Sequence, residues 1–140
     1  MKKVYVGMAA DIIHHGHINI LSIAEKYGHV IVGLLSDDAI KSYKREPIVS
    51  FENRLRVIKS IKYVKDVIIQ ETHDWTDNLI KLKPDFVVHG DDWKEGKQME
   101  VRNKVIKIIS EWGGKLIEPK YTSNISTTDI INKIIITNKN

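Results

Sequence analysis

The sequence predicts an α/β domain of three layers, in which a doubly wound, five-stranded parallel sheet carries helices on both faces. Three observations predict it. Short apolar runs rich in β-branched residues recur through the chain, as strands covered on both faces require. Between them lie segments whose apolar residues return at helical spacing, so strand and helix alternate. Finally, the 140 residues hold no internal repeat, low-complexity stretch or linker, and a hydrophobic content of 42% suffices for one core. One domain over residues 1–140 is therefore expected, and right-handed crossovers leave few other topologies.

The first strand is Val4-Tyr5-Val6. A helix is expected from about Gly16 to Tyr27, with Ile18, Leu21, Ile23 and Ala24 turned inward and Gly28 ending it. Val30 to Leu35 is the second strand, and Ser36-Asp37-Asp38 then caps a short helix toward Ser42. Tyr43 to Ser50 contains Pro47 among charged residues and reads as a mobile loop. Ser50 is expected to cap the next helix, with Glu52 in its first turn and Leu55, Val57, Ile58 and Ile61 on its apolar side. Val64 to Ile69 is the third strand. Trp75 to Lys83 is helical and stops at Pro84, because the residue before a proline is pushed out of the α region. Phe86-Val87-Val88 is the fourth strand. Met99 to Trp112 is expected as the longest helix, closed by Gly113-Gly114, before a short fifth strand at Leu116-Ile117. A last helix begins near Ser126-Thr127 and runs to about Ile136. The whole is a Rossmann-like pattern.

The chain has no cysteine, which removes disulfides, zinc ribbons and thiol nucleophiles and fits a reducing compartment, so a cytoplasmic location is expected. No apolar run approaches the roughly 20 residues that cross a bilayer. The stretch from Met1 to Val6 is too short for a signal peptide. The net charge is +4, but the lysines are dispersed, without a basic run or an aromatic-basic alternation. Nucleic acid is therefore not an expected partner. An anionic small substrate accounts for a mild basic excess equally well.

In a doubly wound sheet the ligand lies beyond the carboxyl ends of the strands, at the switch point. That directs attention to the loops after Val6, Leu35, Ile69, Val88 and Ile117. The first of these ends in His14-His15-Gly16-His17. Two imidazoles three positions apart at a helix start share one face, beside backbone N–H groups that lack intrahelical partners. Gly16 removes a side chain where a phosphate would approach closely. Together these make an anion site. The competing readings are a metal pair or plain surface histidines, yet zinc pairs on a helix favour i,i+4 spacing and no further ligand follows. Ser126 and Thr127 stand at a second helix start, as phosphate ligands or as a simple N-cap.

The pattern His14-His15-Gly16-His17 resembles the H-x-G-H signature of the nucleotidyltransferase superfamily of cytidylyltransferases and their adenylyl-transferring relatives. Arg54, within Ser50-Phe51-Glu52-Asn53-Arg54, is similar to that family's helix-borne arginine. Gly90-Asp91-Asp92-Trp93 resembles the cytidylyltransferase loop after the fourth strand, and Ile125-Ser126-Thr127-Thr128 resembles the motif that opens the last helix. Within the superfamily the chain most resembles the cytidylyltransferases of phosphonate biosynthesis, those that accompany phosphoenolpyruvate mutase or activate 2-aminoethylphosphonate. Val6-Gly7-Met8, Ser42 to Arg45, His89 to Lys94 and Trp112 to Glu118 carry that likeness. The glycerol-phosphate branch has an arginine and later a glycine where this chain has Tyr121 and Asn124.

The resemblance implies transfer of a cytidylyl group from CTP to a small phosphonate such as 2-aminoethylphosphonate, with release of pyrophosphate. Glycerol 3-phosphate or another phosphate monoester is the alternative acceptor, ATP the alternative nucleotide, and a non-catalytic nucleotide-binding domain the alternative class. An acceptor that is already ionised needs no general base, so catalysis reduces to placing two anions together and neutralising charge. By resemblance His14 and His17 hold the triphosphate, while Lys44 clamps the acceptor and Arg45 the triphosphate, unless both belong to a solvated charged loop. Gly7, Met8, Ala9, Ala10 and Gly16 line the nucleotide, Asp92 takes a ribose hydroxyl, and Tyr121, Thr122, Ile125, Ser126 and Thr127 complete the pocket. Lys44, Asp74, Trp75 and Asn78 are expected at the acceptor, although Asp74 also suits a helix cap and Trp75 a core. His29, His73 and His89 are assigned structural places. Mg2+ is implied by the triphosphate, with Asp11 holding its water or capping the turn. A homodimer is expected from the relatives.

Overall fold

The computed structural model describes residues 1–120 and 125–139. The elements run β1 (Lys3–Met8), α1 (His15–Glu25), β2 (His29–Leu35), α2 (Asp37–Lys41), α3 (Phe51–Lys59), β3 (Asp66–Gln70), α4 (Thr76–Leu82), β4 (Phe86–Val88), α5 (Met99–Ser110), β5 (Lys115–Ile117) and α6 (Thr127–Lys139). Two 3-10 turns, Asp91–Trp93 and Gly96–Gln98, join β4 to α5. All strand pairs are parallel and the order is β3-β2-β1-β4-β5. The fold is the expected doubly wound α/β sheet. Its direction of winding reverses between β1 and β4, which opens a crevice at their carboxyl ends.

Alternation along β1 builds the layers. Val4 and Val6 pack with Leu21 and Ala24 of α1 and Ile58 of α3 on one face. Tyr5, between them, points to the other face and packs with Trp75, Leu79 of α4 and Val105 and Ile109 of α5. Tyr5 reaches over the neighbouring strand, where a Cβ on Gly33 would lie 1.7 Å from its hydroxyl. That hydroxyl donates to Gln70 Oε1 at 2.6 Å and accepts from Asn78 Nδ2 at 3.1 Å, a buried polar tie between β1, β3 and α4. Asn78 Nδ2 also donates to the Ile69 carbonyl at 3.0 Å.

Several boundaries differ from expectation, each for a local reason. Val57 is 48% exposed, and Phe51 and Leu55 flank Ile58 in its place. Ser50 occupies the N-cap of α3 but makes no capping bond; its hydroxyl receives the Asn53 side-chain amide instead. β3 begins at Asp66 rather than Val64, because the Val64 amide still closes the turn after α3 on the Ile61 carbonyl. α5 stops at Ser110, and Gly113 follows in the left-handed region at φ 77°. α6 reaches Lys139 and so exceeds α5 by one residue, 13 against 12. Among the described residues no helix is long and apolar enough to cross a membrane.

Candidate active site

A cleft of about 340 Å³ opens at the carboxyl ends of β1 and β4. Gly7 to Asp11, His14, Gly16, His17, Lys44, Trp75, Asp92 and Ile125 to Thr127 all border it, so most of the expected residues come together.

One wall is the start of α1. His14 is its N-cap, and its Nδ1 accepts the Gly16 amide at 3.1 Å. His17 answers reciprocally: its Nδ1 accepts the His14 amide at 3.1 Å. The arrangement revises the expected anion site. The amides of His14, Gly16 and His17 already have partners within the turn, so these three are not spare donors, and the His14 and His17 side chains border the cleft. Because each Nδ1 accepts, the proton of each neutral ring resides on Nε2, giving two outward donors. Desolvation lowers the His14 pKa, and the neighbouring His15 adds to it. Desolvation, then the charges of His14 and Lys44, lowers His17 to about 4. Both rings are thus neutral donors near pH 7.

The second wall is the loop from Tyr43 to Ser50. Lys44 borders the cleft, and burial followed by the Arg45 charge lowers its pKa. The Lys44 ammonium lies 5.2 Å from the Tyr43 ring, which in turn stacks on His73 at 3.9 Å. Arg45, expected at the triphosphate, does not border the cleft; its Nη2 donates instead to Asp11 Oδ2 at 2.9 Å. Asp11, expected at a metal, has both carboxylate oxygens engaged by protein donors, the others being the Ile48 and Val49 amides. Behind the loop, Arg54 is 1% exposed. Its guanidinium donates to the carbonyls of Ala9, Leu35 and Val49 and to Asp37, tying the ends of β1 and β2 to α2 and the loop.

The third wall follows β4. His89 stacks on Trp93 at 3.6 Å and borders the cleft. Its Nδ1 lies 2.7 Å from the Gly90 carbonyl, an acceptor only, so Nδ1 carries the proton and Nε2 is left as an acceptor. Burial lowers the His89 pKa and keeps it neutral at pH 7. Trp93 is held from behind, its indole N–H donating to Glu118, which also receives a two-pronged bond from Arg102. Trp75 is both core and wall: its ring packs on Trp93 and Tyr5, and a Cβ on Gly7 would meet it at 2.7 Å. Gly7 is therefore small because Trp75 needs the space.

Two expected acceptor residues stand elsewhere. Asp74 precedes Trp75, the N-cap of α4; its Oδ1 accepts the Thr76 amide at 2.9 Å and the Thr76 hydroxyl, while Oδ2 pairs with Lys104. Burial pushes its pKa up, but the Lys104 and Thr76 hydrogen bonds outweigh this and hold it at about 2. Asn78 is spent on Tyr5 and Ile69. Ser126 borders the cleft while its hydroxyl accepts the Asp129 amide, and Thr127 donates to the Ile12 carbonyl. Tyr121 and Thr122 lie outside the described residues. His73 and His89, expected to be structural, both border the cleft. The signal for His89 was its place directly after the fourth strand.

Residues 5–133 match the model of the cytidylyltransferase-like family. The chain is 30% identical over 139 residues to ethanolamine-phosphate cytidylyltransferase of Mus musculus, covering 98% of this chain and 33% of that protein. It is 42% identical over 93 residues to FAD synthase of Pyrococcus horikoshii, covering 64% of this chain and 63% of that one. The chain thus spans a third of the first relative and under two thirds of the second. Among solved structures, the lipopolysaccharide core biosynthesis protein of Thermoplasma volcanium GSS1 superposes with a TM-score of 0.71 at 25% identity, over 87% of this chain and 97% of that one. With the H-x-G-H turn at the switch point of the sheet, and a family match across most of its length, the chain belongs to the cytidylyltransferase-like family.

Proposed function

We propose that the cleft transfers a cytidylyl group from CTP to the phosphate or phosphonate of a small acceptor, releasing pyrophosphate. The observation that carries this reading is the pair of neutral Nε2–H donors on His14 and His17 in one cleft with Lys44. An acceptor phosphate or phosphonate near pH 7 carries most of a second charge and attacks the α-phosphorus directly. No group in the cleft has to remove its proton. The two imidazoles hold the triphosphate as charge moves toward the leaving pyrophosphate, and Lys44 brings the second anion alongside. Thr127 and Ser126, at the start of α6, extend the phosphate side, while Met8, Ala9 and Ala10 leave room for the nucleoside.

The opposite wall suits donors. His89 presents an unprotonated Nε2, Asp92 a carboxylate and Trp75 an aromatic surface. An acceptor with a 2-aminoethyl group, as in 2-aminoethylphosphonate or ethanolamine phosphate, matches that chemistry, and a ribose hydroxyl can use Asp92. Mg2+ enters with CTP, its ligands drawn from triphosphate oxygens and water. Among the described residues no cluster of three or more His, Cys, Asp or Glu side chains forms a site of its own.

A second reading keeps the cleft and replaces CTP with ATP; the likeness to an archaeal FAD synthase favours it. The test is pyrophosphate release with CTP and Mg2+ against 2-aminoethylphosphonate, ethanolamine phosphate, phosphocholine and glycerol 3-phosphate, with ATP in a parallel row and FMN added there. Release with CTP and an aminoethyl acceptor supports the first reading. Release with ATP alone replaces it with the second.

A further inference from the structure

Asp11 has no place in the transfer chemistry proposed above, yet its side chain is buried at 2% exposure on the rim of the cleft. A buried carboxylate survives only when donors satisfy its oxygens. Three do so. Oδ2 accepts from Arg45 Nη2 at 2.9 Å and from the Ile48 amide at 3.0 Å, and Oδ1 accepts from the Val49 amide at 2.8 Å. All three donors belong to the loop that bears Lys44. The same loop is held from the other side by Arg54, which bonds the Val49 carbonyl at 2.9 Å and the Ala9 carbonyl at 2.7 Å. The residue before Asp11, Ala10, has φ 54°, a left-handed backbone that a residue with a Cβ rarely adopts. This turn ends the approach from β1 and sets Asp11 beside the loop. Lys44 itself has no side-chain hydrogen bond among the described residues, so its position in the cleft depends on how its loop is fixed.

We infer that Asp11 is a positioning residue: its carboxylate latches residues 45–49 against the end of β1 and thereby sets where Lys44 stands in the cleft, rather than holding a metal ion. The inference rests on the proposed transfer reaction for its kinetic consequence but not for the latch itself. Asp11→Asn leaves one carbonyl oxygen and turns an NH2 toward donors, so at least one charge-assisted bond is lost. Hydrogen bonds to charged groups are strong enough that amide exchange at Ile48 and Val49 should rise roughly ten- to a hundredfold.

The experiment measures hydrogen exchange of the 43–49 segment in wild type and Asp11→Asn without any substrate, and then turnover against Mg2+ and acceptor concentration. Faster exchange confined to this segment is expected. With it should come a fall in kcat/KM for the acceptor of roughly tenfold or more, an unchanged Mg2+ midpoint, and CTP binding within about threefold of wild type. Unchanged exchange overturns the latch, and a Mg2+ midpoint displaced about tenfold overturns it in favour of a metal role. If wild type transfers nothing to any acceptor, the reaction fails while the exchange measurement still decides the latch. Should Asp11→Asn fail to fold, Val49→Pro removes one amide donor and keeps the carboxylate; it should raise exchange at Ile48 in the same way, and its failure to do so overturns the inference.

Discussion

The rings of His14 and His17 lie 4.0 Å apart, and each uses Nδ1 to hold a backbone amide of the turn they share. The pair therefore does two jobs with different atoms. Nδ1 closes the helix start, and Nε2–H is left for an anion. Substitutions that separate these atoms separate the jobs.

His14→Asn keeps an acceptor near the Nδ1 position and removes the distal donor. Turnover is expected to fall roughly a hundred- to a thousandfold, the usual cost of one donor to developing charge. Its stability in urea should stay close to wild type. His14→Ala loses the cap as well and should be less stable by about 1 kcal/mol. Steady-state kinetics with urea unfolding of both variants checks the separation.

The depressed histidine pKa values set a pH window for stability. The folded His17 titrates at about 4, while the unfolded side chain titrates near its ordinary value of 6.5. Between those values the unfolded chain binds a proton that the folded chain refuses, so stability falls as pH drops through that window and is full above it. His14 shifts in the same direction. Thermal unfolding at pH 7.5 and pH 5 should show the loss, and His17→Asn should flatten it. A midpoint that rises at pH 5 would refute the assignment.

Asp74 gives a test of the revised acceptor site. With its oxygens on Thr76 and Lys104, Asp74→Ala should leave the acceptor KM within about twofold and lower stability by about 1 kcal/mol through the lost hydrogen bonds. Its pKa of about 2 places its own pH effect lower: stability present above its ordinary value near 3.8 is lost as pH falls toward 2. A large rise in acceptor KM would return Asp74 to the site.

Two glycines separate packing from cleft shape. A Cβ on Gly33 would meet the Tyr5 hydroxyl at 1.7 Å, far inside contact distance. Gly33→Ala should destabilise by about 1–3 kcal/mol or more, as overpacking does. A Cβ on Gly7 would meet the Trp75 ring at 2.7 Å, and that ring borders the cleft. Gly7→Ala should raise the acceptor KM as well as lower the unfolding midpoint, whereas Gly33→Ala should lower the midpoint and leave KM within about twofold. Kinetics and thermal melts on both variants distinguish the two effects.

The sheet was legible because buried parallel strands leave a mark that needs no tertiary knowledge: Val30 to Leu35 and Phe86 to Val88 are apolar throughout and bounded by turn residues. Ser36 was legible as a cap, and it accepts the Ala39 amide at 3.0 Å. The first helix turn was legible as a site from spacing, but the reciprocal use of its amides was not, since imidazole and amide compete for the same partners. Asp11 and Arg45 looked like ligands because charge near a phosphate loop suggests one; only their 34-residue separation closing into a bond makes them a brace. His73 was hidden for the same reason, because its stacking on Tyr43 joins two loops distant in sequence. Asn78 could not be told from a site residue without knowing that Tyr5 projects toward it.

The most direct measurement is pyrophosphate release from CTP and 2-aminoethylphosphonate or ethanolamine phosphate, with wild type and His14→Asn assayed side by side. Acceptor-dependent release by wild type, reduced roughly a hundredfold or more in the variant, is the predicted result. Release that does not depend on His14, or no release with any phosphate or phosphonate acceptor despite CTP binding, would contradict the proposed transfer.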